Sequence, residues 1–363
     1  MKRRKRVAIL TGGGDCPGIN AVIRAVAKKL INEQNAEVIG FKDGYHGLVR
    51  NRHRKLKYTD VSGILTLGGT ILGTSKIANP YRYAVQNGKK FEFKDMSKTV
   101  IKNCEKLKLD CLVCIGGDGS LGIANRLFED GLPVVGVPKT IDNDIRGTDL
   151  TFGFDSAVSI ATEAIDRLHT TAESHHRVMI LEVMGHNAGW IALSAGIAGG
   201  GDIILMPEIP YDIDVIARMV RARNKKGRRF SIIVVSEGAK PKGGNVVIKR
   251  MVEASADSIR LGGIGFVLGK QIEDATGLET RAVVLGHLQR GGSPTAFDRV
   301  FATGLGAKAG DMVEKKKFGY MVGLKKGMFV EVSLKNVAKG SRTIPANAPL
   351  LKVAKAVGTS FGV

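Results

Sequence analysis

A chain of 363 residues, 44% hydrophobic and 6% aromatic with 47 glycines, can fill one large domain or two lobes and suits an α/β enzyme with many tight strand-to-helix turns. The net charge of +21 raises the possibility of a nucleic-acid partner, but the cations are scattered apart from 2–6, 50–57 and 315–317, with no basic helix interleaved with aromatics and no zinc-finger spacing, so solvated faces and small anionic substrates account for it better. No apolar stretch is long enough to span a membrane, and four cysteines in so long a chain suit a reducing cytoplasm.

The run 7–10 is continuously apolar and predicts a parallel strand buried on both faces. It ends in Gly12-Gly13-Gly14-Asp15, and a mostly apolar helix is expected over 19–31. A second strand is expected at 38–41; 62–67 leads into a further glycine turn, Gly68-Gly69-Thr70 with Gly73-Thr74-Ser75-Lys76. Strand 111–115 holds Cys111 and Cys114 as a C-x-x-C, but without a second such pair or a His pair they read as buried strand thiols. The loop Gly116-Gly117-Asp118-Gly119-Ser120 opens a helix over 121–128, and strand 134–137 runs into Pro138-Lys139-Thr140-Ile141-Asp142-Asn143-Asp144. A second series follows: helix 156–171, strand 177–183, helix Trp190–Ala198, strand Ile203–Leu205, basic helix 213–226, strand 231–235, helix 266–276, and 282–285 as the last clear strand. Strands alternating with helices imply right-handed crossovers, hence an α/β fold of two Rossmann-like lobes with mostly parallel sheets and the active site between them. One lobe is expected to be 1–153 plus about 287–340 and the other 154–286, with the carboxyl-terminal tail packing back.

The loops carry the chemistry. Phosphoryl transfer needs backbone N–H groups near phosphates, a Mg²⁺ ligand, cations around the moving group and an acceptor for the hydroxyl proton. Glycine loops ahead of helices supply the first, because the bare backbone approaches oxygens and the helix amino end favours anions. Taken singly each loop is also explained by tight packing, and none matches G-x-x-x-x-G-K-S/T or G-x-G-x-x-G. Asp118, among glycines at a strand end, can reach a phosphate-bound metal, or serve as a helix cap. Asp142 and Asp144 are ordinary turn residues on their own, but Lys139 and Thr140 beside them favour one acid as a base and the other in support. Gly286-His287-Leu288-Gln289-Arg290-Gly291-Gly292 sets a His and an Arg in a post-strand loop as an anion clamp, with His175-His176-Arg177 and Arg281 as further candidates.

In register, T-G-G-G-D-C-P-G-I-N at 11–20, I-G-G-D-G-S at 115–120, P-K-T-I-D-N-D at 138–144, E-V-M-G at 182–185 and G-H-L-Q-R-G-G at 286–292 closely resemble the 6-phosphofructokinase family. The resemblance implies transfer of a phosphoryl group from ATP to the 1-hydroxyl of fructose 6-phosphate, with Asp142 as general base beside Lys139, Thr140 and Asp144. It implies Mg²⁺ on Asp118, and Gly14, Lys76, Ile77, Gly117, Asp118, Gly119 and Ser120 flanking the donor. The sugar phosphate falls to Thr140, Ile141, Asp142, Arg177, Met184, Gly185, His186, Glu237, Arg281, His287, Leu288, Gln289 and Arg290. By the same resemblance the protein is a homotetramer or homodimer, with Arg177 and Arg281 acting across the interface.

Two departures bear on activity. His186 stands where the family often has Arg, and an imidazole binds phosphate less firmly than a guanidinium. Gly119 favours ATP, since pyrophosphate-using relatives commonly carry Asp there, but Lys139 is shared with those relatives, so pyrophosphate is the alternative donor. A kinase for another acceptor and, from a different class, a non-catalytic basic nucleic-acid-binding protein are the competing readings. The segments 138–144 and 286–292, which supply the sugar-phosphate half of a site, argue against the first, and a binding assay titrated with salt separates the second.

Overall fold

The computed structural model describes residues 3–88, 90–251 and 259–363. Two sheets organise them. The first has seven strands in the order Met328–Ser333, Tyr320–Lys325, Val134–Pro138, Cys111–Gly116, Arg6–Thr11, Glu37–Phe41, His53–Leu56. Its interior pairs are parallel, with Leu10 opposite Cys114 and Cys114 opposite Gly136. The outermost strand on each side is antiparallel to its neighbour. The second sheet has four parallel strands in the order Ile203–Leu205, Ser231–Ser236, Val178–Val183, Thr280–Val284.

Why these runs become buried strands is visible in where alternate side chains go. Val7 and Ile9 face one core with Val113, Ile115, Val135 and Val137, whereas Ala8 and Leu10 face another with Leu112, Cys114 and Val134. A period of two with both faces covered demands apolar residues at every position. The second sheet behaves alike, with Met179 and Leu181 on one side and Val178 and Ile180 on the other. The inner faces of both sheets share one core, filled by the helices Ile19–Gln34, Phe154–His175, Trp190–Ala198 and Ala296–Glu314. Helices Ile19–Gln34 and Ala296–Glu314 approach so closely that a Cβ on Gly306 would lie 2.7 Å from that of Ala25. Fully buried Asp298 accepts hydrogen bonds from the Gly153 N–H, the Ser156 N–H and the Ser156 hydroxyl, pinning the start of helix Phe154–His175 to helix Ala296–Glu314.

Residues 62–67 form turns that lead into the glycine turn, as expected, and two other expectations are corrected. The strand sequence does not end at 285, since Tyr320–Lys325 and Met328–Ser333 return to the first sheet. Their alternation is diluted by Lys325, Lys326 and Glu331 at an edge, where one face is wet. Helix Phe154–His175 also runs farther than the expected 156–171 at both ends. Burial pushes the Cys114 thiol up to about 12 and raises Cys111, so neither is a thiolate at neutral pH. Among the described residues no helix is long and apolar enough to cross a membrane.

The carboxyl ends of both sheets face one cleft. Loops after Thr11, Gly116, Pro138, Val183, Ser236 and Val284 all open there, as parallel sheets dictate for ligands. After residue 340 the chain leaves the first sheet; Ser360 bridges Ile203, and Leu351, Ala354 and Phe361 enter the shared core.

Candidate active site

Adjacent parallel strands bring the two amino-terminal glycine loops together. The Gly12 N–H donates to the Ile115 carbonyl at 2.9 Å, and a Cβ on Gly12 would sit 2.7 Å from Ser120 Oγ. Gly12 is therefore required by packing. Gly119 is not: a Cβ there would meet nothing within 4 Å. It lies exposed in the first turn of helix Asp118–Glu129, whose leading N–H groups have no side-chain cap from Gly117. Such an end attracts anions. The exposed Asp118 carboxylate is held by its neighbours, accepting from the Gly119 N–H at 2.7 Å and the Ser341 hydroxyl at 3.2 Å.

Cations gather opposite. Lys139 is 3% exposed and donates to the Gly14 carbonyl; burial lowers its pKa, and the nearby Arg290 guanidinium adds to that. A Cβ on Gly14 would come within 2.8 Å of Arg290 Nη1 and 3.0 Å of Lys76 Cε, so the bare glycine is what lets both side chains close in. Arg290 Nη1 donates to the Asp15 carbonyl at 3.1 Å, while its Nε is buried with no hydrogen-bond partner among the described residues. Desolvation and then Arg290 lower the pKa of Lys76 and of His287 alike. Arg260, from the strand Ile259–Leu261, adds a like charge to Lys76 that no motif in the sequence had flagged.

The acids form the third wall. Asp142 is half-buried; its N–H donates to Thr140 Oγ1 at 3.1 Å, and that hydroxyl makes a long 3.4 Å contact with Oδ2. Its Oδ1 is buried without a partner among the described residues. Asp144, also buried, is pushed up to about 8, first by desolvation and then by the charges of Asp142 and Asp118. Across the cleft Glu237 is pushed to about 7 by burial and by Asp142, and accepts weakly from the His186 N–H at 3.4 Å. Asp118, Asp142, Asp144 and Glu237 thus share one field, on loops from both sheets.

An acid whose pKa rises on folding holds its proton more tightly when folded. Its contribution to stability is intact below the ordinary value of 3.8 and is lost as pH climbs toward about 8. Asp144→Asn removes that term, so the difference in melting temperature, variant minus wild type, grows from about pH 5 to about pH 8.5 in calorimetry without ligands. A difference that stays flat or shrinks would contradict the assignment of Asp144 as a proton-holding acid.

The remaining predicted positions divide. Met184 and Gly185 line the loop after Val183, where Gly185 has φ 144° and His186 a left-handed φ of 40°. Ile77 and Leu288 are exposed. Ile141 and Gln289 are fully buried: Ile141 packs in the shared core, and the Gln289 amide holds the Gly286 carbonyl at 3.1 Å, so both shape their turns. Arg177 and Arg281 are not brought to the cleft of their own chain. They sit at the amino ends of Val178–Val183 and Thr280–Val284, both paired with Glu279. Glu182, quoted in the 182–185 motif without a role, is 2% exposed and accepts from the N–H groups of Gly263 and Gly265 at the start of helix Ile264–Thr276. Arg342, far from any motif, was missed by sequence reasoning.

Among the described residues no three His, Cys, Asp or Glu side chains are placed to hold a metal by themselves. That fits Mg²⁺, which takes one or two carboxylates and completes its shell with phosphate and water. The unpartnered Asp142 oxygen and the mutual repulsion felt by Asp144 are what a cation in this cleft would relieve.

The phosphofructokinase family model matches residues 6–313. ATP-dependent 6-phosphofructokinase 2 of Clostridium perfringens is 52% identical over 364 residues, 99% of each chain. Pyrophosphate–fructose 6-phosphate 1-phosphotransferase of Amycolatopsis mediterranei is 51% identical over 341 residues, 94% of this chain and 96% of the relative. The crystal structure of Pichia pastoris phosphofructokinase in the T-state superposes with a TM-score of 0.79 at 30% identity, covering 98% of this chain, which spans just 37% of that one. Both the near-complete alignments and the loops that line the cleft lead to one assignment: the chain is a member of the phosphofructokinase family.

Proposed function

We propose that the protein transfers the terminal phosphoryl group of ATP to the 1-hydroxyl of fructose 6-phosphate. The observation that carries this reading is a half-buried carboxylate, Asp142, with one oxygen unpaired, facing cations and two glycine loops in a single cleft. Asp142 takes the proton of the acceptor hydroxyl as its oxygen attacks phosphorus. Lys139, held at the Gly14 carbonyl, and Lys76 neutralise the moving group. Its depressed pKa marks Lys139 as a weakly solvated cation, whose field on a phosphoryl oxygen is strong. Asp118, with Asp142 nearby, would hold Mg²⁺, which when bound spreads the charge of the donor phosphates. The first sheet and its returning strands form the donor side, and the loops of the second sheet, with Met184, Glu237, His287 and Arg290, the sugar-phosphate side.

For the donor, the open space at Gly119 and the identity to an enzyme named for ATP favour ATP. Pyrophosphate is the second reading, favoured by Lys139 and by a relative named for pyrophosphate at 51% identity. Arg177 and Arg281, turned away from the cleft of their own chain, would complete a neighbour's sugar-phosphate pocket in a dimer or tetramer. A donor panel tests the reading: purified protein, Mg²⁺ and fructose 6-phosphate, with either ATP or pyrophosphate. Fructose 1,6-bisphosphate should form faster with ATP. Faster product formation with pyrophosphate would reverse the donor, and no product with either would reject the reaction.

A further inference from the structure

Residues 341–344, which no motif singled out, touch both carboxylate loops. Ser341 forms an antiparallel bridge with Ile145, and its hydroxyl donates to Asp118 Oδ2 at 3.2 Å. The Arg342 backbone N–H donates to the Asp144 carbonyl at 2.6 Å. Its guanidinium donates twice to the preceding carbonyl, that of Asn143, from Nη2 at 2.7 Å and Nε at 3.3 Å. Two successive carbonyls after Asp142 are therefore held by one residue. The guanidinium carbon lies 4.6 Å from the centre of the Trp190 ring, whose Nε1 donates back to the Arg342 carbonyl at 3.3 Å. The Ile344 N–H then donates to Glu208, which also accepts from the Gly189 N–H at the head of helix Trp190–Ala198.

The turn needs such a clamp. Asn143 has a left-handed φ of 51°, a conformation that non-glycine residues keep where the surroundings over-determine it. Its side chain is already used on the Thr151 N–H at 3.1 Å. Asp142 has little of its own to aim it, with a 3.4 Å contact to Thr140 on one oxygen and none on the other. A planar fork stacked on an indole fixes a carbonyl direction in a way a flexible ammonium does not.

We propose that Arg342 is a positioning residue for phosphoryl transfer: seated on Trp190, it locks the peptides that follow Asp142, while its neighbour Ser341 orients Asp118. This inference rests on the roles given above to Asp142 and Asp118. Arg342→Met keeps a stem over Trp190 and removes the fork. With saturating ATP, Mg²⁺ and fructose 6-phosphate, its kcat falls about 30- to 100-fold while both KM values stay within about threefold, because misaimed reacting groups cost rate more than binding. Guanidinium ion added to Arg342→Ala restores about tenfold or more of the lost turnover, a response that a merely structural arginine would not give.

Full turnover in Arg342→Met overturns the proposal, as does a loss confined to KM. If Arg342→Met does not fold, Arg342→Lys carries the test, with an expected fall in kcat of about five- to twentyfold since one ammonium replaces a fork. An unchanged kcat there overturns it equally. Wild-type protein inactive with every donor would sink the proposed reaction and this inference together. An active wild type with an unaffected Arg342→Met sinks this inference alone.

Discussion

Asp142→Asn lowers kcat by about 10²- to 10⁴-fold while KM for fructose 6-phosphate changes little, the range expected when a positioned base is lost. The amide is isosteric, so the turn from Thr140 to Asp144 keeps its backbone hydrogen bonds, including the Asp142 N–H to Thr140 Oγ1. What disappears is a carboxylate oxygen, Oδ1, that is buried with no hydrogen-bond partner among the described residues. An amide NH₂ in its place cannot accept the hydroxyl proton. Stability should not fall, because the substitution also removes a negative charge from beside Asp144 and Glu237, each of which it pushes up. Steady-state kinetics with a melting curve checks both halves. Turnover within a few-fold of wild type would reject Asp142 as the base.

Gly119→Asp should turn the protein against ATP. A carboxylate added in the first turn of helix Asp118–Glu129 meets no protein atom within 4 Å of its Cβ, and acids are favoured at that end of a helix. Folding therefore tolerates it. A nucleotide does not: two like charges about 4 Å apart at a surface site repel by roughly 4 kcal/mol, enough for about a thousandfold in kcat/KM. Pyrophosphate, which carries no α-phosphate or nucleoside, escapes most of this. The measurement is the ratio of kcat/KM for ATP to that for pyrophosphate in wild type and variant. A ratio that does not move would separate Gly119 from donor choice.

Both experiments probe positions that the amino-acid sequence makes legible, and the reason is physical. Phosphate loops depend on glycine where side chains collide, as Gly12 does with Ser120, so they leave a pattern at short range. The continuous apolar runs of 7–10, 111–115 and 231–235 announce strands buried on two faces in the same way. The edge strand Met328–Ser333 was not legible, because Met328 and Phe329 are exposed and only Val332 is buried, which blurs the apolar pattern. Nor was the Arg342 clamp: its partners Asn143, Asp144 and Trp190 lie 152 to 199 positions away, and an arginine between Ser341 and Thr343 has no local signature. The separation of Arg177 and Arg281 from the cleft is a property of strand direction, expected from the resemblance but not readable from the residues themselves until the strands are paired in parallel.

The second sheet has two unlike margins. At Ile203–Leu205 the chain closes the border itself, with the Ile204 N–H donating to the Ser360 carbonyl at 2.8 Å. At Thr280–Val284 no further strand follows among the described residues, and Val283, Val284 and the neighbouring Phe266 show apolar surface. Were this bare border to pair with the same border of a second copy, the two would be related by a two-fold axis, since each edge meets its own likeness. Such a contact would use up the bare border of this sheet in both copies, where two unsealed borders would have permitted an endless ribbon.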